Sequence, residues 1–106
     1  MLKFMVVIYR RPDLTAERFR RHLERVHAPL VKNLPGVRKY LQNYVVSDPK
    51  RKHPGWDAIV EVYFDSWEAM EAGWATPQGA ASDADLPLFA DLVRTTWSVV
   101  EEVNLL

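Results

Sequence analysis

Three histidines, His22, His27 and His53, are the side chains of this 106-residue chain best suited to moving a proton near neutral pH. The sequence has no cysteine, which excludes disulfides, thiolate metal sites and a thiolate nucleophile. His53 lies in Lys50-Arg51-Lys52-His53-Pro54, an exposed turn by composition, and is given no role. His22 and His27 fall in a segment with helical periodicity. At about 100° per residue, Phe19, Leu23, Val26, Leu30 and Leu34 make one apolar stripe. His27 then lies roughly 45° from the centre of that stripe, inside the buried arc, and His22 roughly 95° away, at the solvent boundary. The two are five residues apart and point different ways, so they are not expected to form a metal pair, and no metal site is expected. A histidine on a buried arc is most often a satisfied core residue. Pro29 argues for more. Inside a helix it removes one backbone hydrogen bond and clashes with the carbonyl of Arg25, which predicts a kink and a gap beside His27.

The other polar candidates are Tyr9, Tyr40, Asn43, Tyr44, Asp57 and Glu61. Aromatic residues are 11% of the chain and include Trp56, Trp67, Trp74 and Trp97, a composition that suits a pocket for a flat apolar ligand. Trp67 and Trp74 are read as core. The resulting candidate site has His27 as proton carrier and Tyr44 or Asp57 as hydrogen-bonding help. Trp56 and Trp97 form its walls, with His22, Tyr9 and Asn43 as further ligand contacts. No glycine-rich phosphate loop, dinucleotide fingerprint, zinc-ligand spacing or G-x-S-x-G elbow is present, so no cofactor is expected.

These residues must be positioned by a small fold, and 106 residues suit a single domain spanning the whole chain. Lys plus Arg and Asp plus Glu both total 14, so there is no basic excess with which to bind nucleic acid. The six cations from Arg10 to Arg25 are interleaved with Asp13, Glu17 and Glu24, as on a solvated helix face. The apolar run in Met1–Arg10 lacks a basic leader and a cleavage site and is not read as a signal peptide. No run approaches the ~18 apolar residues of a membrane span. The absence of cysteine fits a reducing cytoplasm.

Leu2–Tyr9 reads as a strand, and Thr15 as the cap of a helix that runs to about Leu34 and stops at Pro35-Gly36. Val37–Val46 and Ala58–Phe64 read as strands two and three. Asp65 is expected to cap a second helix, with Glu68 completing a capping box and Trp67, Met70 and Trp74 on its apolar face. Thr76-Pro77 opens a short third helix, and Thr95–Val103 is the last strand. The order βαββαβ predicts a ferredoxin-like α+β fold, a four-stranded antiparallel sheet with helices on one face and strands one and three at its centre. Helices can cover only one face, yet strand one is apolar along most of both: Leu2, Phe4, Val6 and Ile8 against Lys3, Met5, Val7 and Tyr9. At roughly 25 cal/mol per Å², a few hundred exposed apolar Å² would be a liability of several kcal/mol. An identical sheet related by a two-fold axis would cover it, so a homodimer is expected, with Glu61 taking an ion-pair partner there.

The run Phe19-Arg20-Arg21-His22 … Val26-His27-Ala28-Pro29-Leu30-Val31 … Leu34-Pro35-Gly36-Val37 … Tyr40 … Asn43 resembles the EthD family. So do Asp57–Ser66 followed by Glu68-Ala69-Met70, and Thr76-Pro77-Gln78-Gly79 with Phe89 and Asp91 beyond. The resemblance implies a ferredoxin-like fold that dimerises into an α/β barrel and binds a small apolar or aromatic molecule. It implies a setting in degradative metabolism and an oxidoreductase label. Cyclase and dehydratase chemistry follow by likeness to related barrels, with His27 as the first candidate acid or base. The alternative reading is a non-catalytic carrier or an accessory protein to a partner oxygenase.

Overall fold

The computed structural model describes residues 1–51 and 55–106, so His53 lies outside the described residues. Four strands form one antiparallel sheet in the order β2-β3-β1-β4: β1 Leu2–Ile8, β2 Lys39–Tyr44, β3 Ala58–Phe64 and β4 Thr96–Glu101. The two central strands are β1 and β3, as the ferredoxin-like winding requires. In the register Val6 lies between Val60 and Trp97, which puts the three on one face. That face is the inner one, where Val6, Ile8, Ala58, Val60, Val62 and Phe64 are buried under the helices. Among the described residues no helix is long and apolar enough to cross a membrane.

The Thr15 hydroxyl accepts from the Arg18 N–H at 3.1 Å and caps α1, Ala16–His22, with Glu17 in its first turn. The helix then widens into one π-helical turn, Leu23–His27, before resuming as α2, Ala28–Lys32. Pro29 is the physical reason. It has no N–H for the Arg25 carbonyl, and its ring would collide with that carbonyl in a regular α-helix. Widening the turn lets the Ala28 N–H donate to the Leu23 carbonyl five residues back, and the Gln42 side chain donates to the same carbonyl at 2.9 Å. The predicted kink is thus taken up as one loose turn, and the turn shifts the helical phase. Val26, expected in the buried stripe, is 48% exposed, while His27 and Val31 are buried at 7% and 2%.

Ser66, rather than Asp65, caps α3, Trp67–Trp74: its hydroxyl accepts from the Ala69 N–H at 3.1 Å, and Asp65 pairs with Arg38 at 3.2 Å. Met70 is buried and the Trp74 ring packs 5.3 Å from Phe4, but Trp67, in the first turn, is 53% exposed rather than core. Thr76 caps α4, Pro77–Asp85, as its hydroxyl accepts from the Gly79 N–H at 3.2 Å. A 3-10 turn at Leu86–Leu88 then lowers Phe89 into the core, where it is fully buried.

The molecule measures 41 × 36 × 22 Å. A thickness of 22 Å is that of one helix layer on one sheet, so the outer face of the sheet is uncovered by this chain. It carries Met5, Val7 and Ile59 at its centre. Its charges are matched within the chain. Lys3 Nζ lies 2.7 Å from Glu61 and 3.2 Å from Glu102, and Asn43 donates to Glu61 at 2.9 Å. Glu61 therefore finds its cation on β1 of its own sheet. The Lys3 ammonium and the Asn43 amide hold the Glu61 carboxyl below its usual value, and Glu61 in turn raises that of Lys3.

Gly73 marks the tightest approach between α3 and the turn after α2, since a Cβ there would lie 2.5 Å from the Pro35 carbonyl oxygen. Gly73→Ala is expected to destabilise the fold by about 1–3 kcal/mol through overpacking, read as a lower urea midpoint at unchanged slope.

Candidate functional site

The π-turn decides where the two helical histidines go. Five residues on a regular α-helix separate two side chains by roughly 140°, but a wider turn brings them closer to one side. His22 and His27 accordingly meet at one carboxylate. His22 Nε2 lies 2.9 and 3.0 Å from the two Asp85 oxygens, and His27 Nδ1 lies 2.9 Å from Asp85 Oδ2. This corrects the expectation that the two point different ways. Phe89 supports both rings, with its centroid 5.0 Å from His22 and 4.9 Å from His27. Among the described residues, no group of three or more His, Cys, Asp or Glu side chains is placed to hold a metal ion.

Asp85 is buried at 7% exposure, and an ionised carboxylate can only accept hydrogen bonds. His27 Nδ1 must therefore carry the hydrogen that meets it, which leaves Nε2 of the neutral ring with a free lone pair. Burial holds the His27 pKa below the usual histidine value. The Asp85 hydrogen bond and charge, and the Asp83 charge, pull the other way, and His22 adds to the lowering. A neutral His27 with a fixed tautomer is a base that needs no rearrangement before it accepts a proton.

His27 lines a narrow cavity of about 30 Å³ between the inner face of the sheet and the helices. Phe4, Val6, Ile8 and Val60 form its floor and Trp74, Leu86 and Trp97 its sides, with Ser82 and Asp83 contributed by α4. Trp97 sits on edge strand β4 and is 46% exposed, so the cavity adjoins the surface there. His27 thus shares the inner, helix-covered face of the sheet with Trp97.

The remaining candidates gather elsewhere. Tyr44 donates its hydroxyl hydrogen to Gln42 at 2.8 Å, and Gln42 also bonds Tyr40 at 2.6 Å. Burial pushes the Tyr40 phenol up to about 12. Asp57 accepts from the Arg10 N–H at 2.9 Å and from Arg10 Nε at 3.2 Å. Tyr44, Trp56 and Asp57 line a separate open groove of about 290 Å³ with Glu17 and Arg20. Tyr9 lies under the Arg94 guanidinium, 4.6 Å from its ring centroid, and Asn43 is on the outer face with Glu61. Asp85, Ser82 and Phe89 were not singled out as site residues by sequence. The available signal was Ser82-Asp83-Ala84-Asp85 itself. Two carboxylates in the last turn of a short helix oppose the helix dipole, so they call for partners elsewhere.

The solved structures most like this chain include an EthD family protein from Bacillus halodurans, 27% identical over 97% of this chain and 100% of that one, with a TM-score of 0.81. A dimeric ferredoxin-like protein of unknown function from Bacteroides fragilis is 16% identical over 95% of both chains, with a TM-score of 0.68. SnoaB from Streptomyces nogalater, described as a cofactor-independent oxygenase, is 10% identical over 99% of this chain and 95% of that one, with a TM-score of 0.69. No curated protein matches the chain in sequence. The EthD domain model matches residues 11–92, from the turn before α1 through the helix that supplies Asp85, and the chain therefore belongs to the EthD family.

Proposed function

We propose that the chain works as a cytoplasmic homodimer, joined through the outer sheet faces into an α/β barrel, and binds a small apolar or aromatic molecule in the His27 cavity. His27 acts there as acid and base. One observation carries this reading: a buried imidazole that lines the cavity and whose Nδ1 lies 2.9 Å from Asp85 Oδ2. The helper role expected of Tyr44 and Asp57 passes to Asp85, which orients the ring and stabilises the imidazolium formed when Nε2 takes a proton. Proton transfer of this kind serves cyclase, dehydratase and cofactor-independent oxidation chemistry alike. SnoaB's description as a cofactor-independent oxygenase supports the last class, and the family's name supports a degradative setting. A non-catalytic carrier is the second reading, favoured by how few polar groups line the cavity: His27, Ser82, Asp83 and the indole N–H groups of Trp74 and Trp97, of which Trp74 Nε1 is buried without a partner among the described residues. The dimer rests on the uncovered centre at Met5, Val7 and Ile59 and on the dimeric relative.

Three measurements test these points. Sedimentation equilibrium at micromolar concentration should give a dimer for the wild type and a folded monomer for Val7→Glu; a wild-type monomer would remove the barrel. Nitrogen-15 NMR of labelled histidine should show His27 protonated at Nδ1 and bare at Nε2 at pH 7.5. Added toluene should then shift that Nε2 resonance and the Trp97 indole, and silence at both would remove the cavity as a ligand site. Stability should also depend on pH through His27. Its folded pKa lies below the unfolded value near 6.5, so the unfolded chain binds the proton first. Its contribution is intact above about pH 6.5 and is lost as the pH falls, at up to ~1.4 kcal/mol per pH unit until the folded ring also protonates. Urea titrations at pH 7.5 and 5.5 should show a smaller loss in His27→Leu than in the wild type.

A further inference from the structure

The segment after β4 is not packed on its own fold. Val103 is 65% exposed, Leu105 is 90% exposed and Leu106 is fully exposed. Among the described residues no backbone hydrogen bond joins residues 103–106 to another element. The Leu106 N–H donates to Asn104 Oδ1 at 3.1 Å, a bond internal to the segment. Single exposed aliphatic residues are ordinary, but three within four residues at the end of an edge strand make an apolar arm. With Asn104 and Glu102 they bound an open hollow of about 350 Å³.

The root of the arm is held in a defined place. Glu102 Oε2 lies 3.2 Å from Lys3 Nζ and accepts from the Tyr63 hydroxyl at 3.0 Å. Lys3 and Tyr63 are cross-strand partners, and the alternation along β1 and β3 puts them on the same side as Met5, Val7 and Ile59. The arm therefore leaves the sheet on its outer, uncovered face. The charges there, Lys3, Glu61 and Glu102, are matched within the chain, so what the arm and the face offer to a partner is apolar. A second copy of this chain presents the same surface. Four residues reach up to about 13 Å when extended, and packed sheets stand about 10 Å apart, so the arm is long enough to cross.

We infer that residues 103–106 form an arm that crosses to a second copy of this chain and packs its aliphatic side chains on that copy's outer sheet face, the two arms being exchanged across the two-fold axis. This rests on the dimer proposed above and names a contact that holds it together. An isologous interface makes the exchange reciprocal, so every contact of the arm is made twice.

The chain has no cysteine, so Leu105→Cys can carry a single nitroxide label. Mixed with nitrogen-15-labelled wild-type chain, it should broaden amide resonances of β1 and β3 in that second chain. Deleting residues 103–106 should raise the dimer dissociation constant about hundredfold by sedimentation equilibrium, the size expected when three aliphatic side chains per copy lose their burial, less the ordering of the arm. In the Val7→Glu monomer the same deletion should leave the urea midpoint unchanged, because the arm does not stabilise its own chain. The inference is overturned if the wild type is a dimer yet the label broadens no amide of the second chain, if the deletion leaves the dissociation constant unchanged, or if it lowers the urea midpoint of the monomer. Those results would leave the dimer standing, whereas a wild-type monomer would remove the dimer and this inference with it.

Discussion

A missing backbone hydrogen sets this site. Pro29 cannot serve the Arg25 carbonyl, and the helix relieves the conflict by opening one turn over Leu23–His27. That turn changes the phase of everything before it relative to everything after it. It carries Val26 outward, sends His27 into the core, and lets His22 reach the carboxylate that His27 also uses. A straight helix through the same residues would hold the two imidazoles roughly 140° apart, and Asp85 could serve only one of them.

The rest of the fold supplies the surroundings that give this arrangement its chemistry. The inner face of β1 and β3 provides an apolar floor, and α4 lies against α2 with Asp85 at its last turn. Burial by these layers favours the neutral form of His27, while Asp85 fixes which nitrogen holds the hydrogen. His27 lines the narrow cavity together with Phe4, Val60 and Trp97. The outer face is separate in purpose. Its ionic cluster of Lys3, Glu61 and Glu102 is matched within one chain, so the apolar centre at Met5, Val7 and Ile59 is what a second copy would cover.

Much of the architecture was legible because it is written in local patterns. Thr15 and Thr76 cap where a short polar side chain precedes a helical run. The strand segments and their order lead to the ferredoxin-like winding with β1 and β3 at the centre. Asp65 precedes the helix with a glutamate at the spacing of a cap, but Arg38, from the turn before β2, draws its carboxylate away and Ser66 takes the position. A uniform 100° step puts Trp67 and Val26 in the core, but that step fails at a helix start and across a π-turn, and both are exposed.

The sequence by itself determined the element order, the two-layer fold, the family, and that His27 beside Pro29 merited attention. All of these depend on residue type and near-neighbour spacing. Only the tertiary structure decided what His27 does with its two nitrogens. Its partner Asp85 is 58 residues away, and no periodicity within either helix records that the two will touch. The same holds for Tyr44 and Asp57, which local reasoning assigned to His27 and packing assigned to Gln42 and Arg10. Contacts of this kind are set by how elements dock, a global property of the folded chain, and become visible only when the layers have closed on one another.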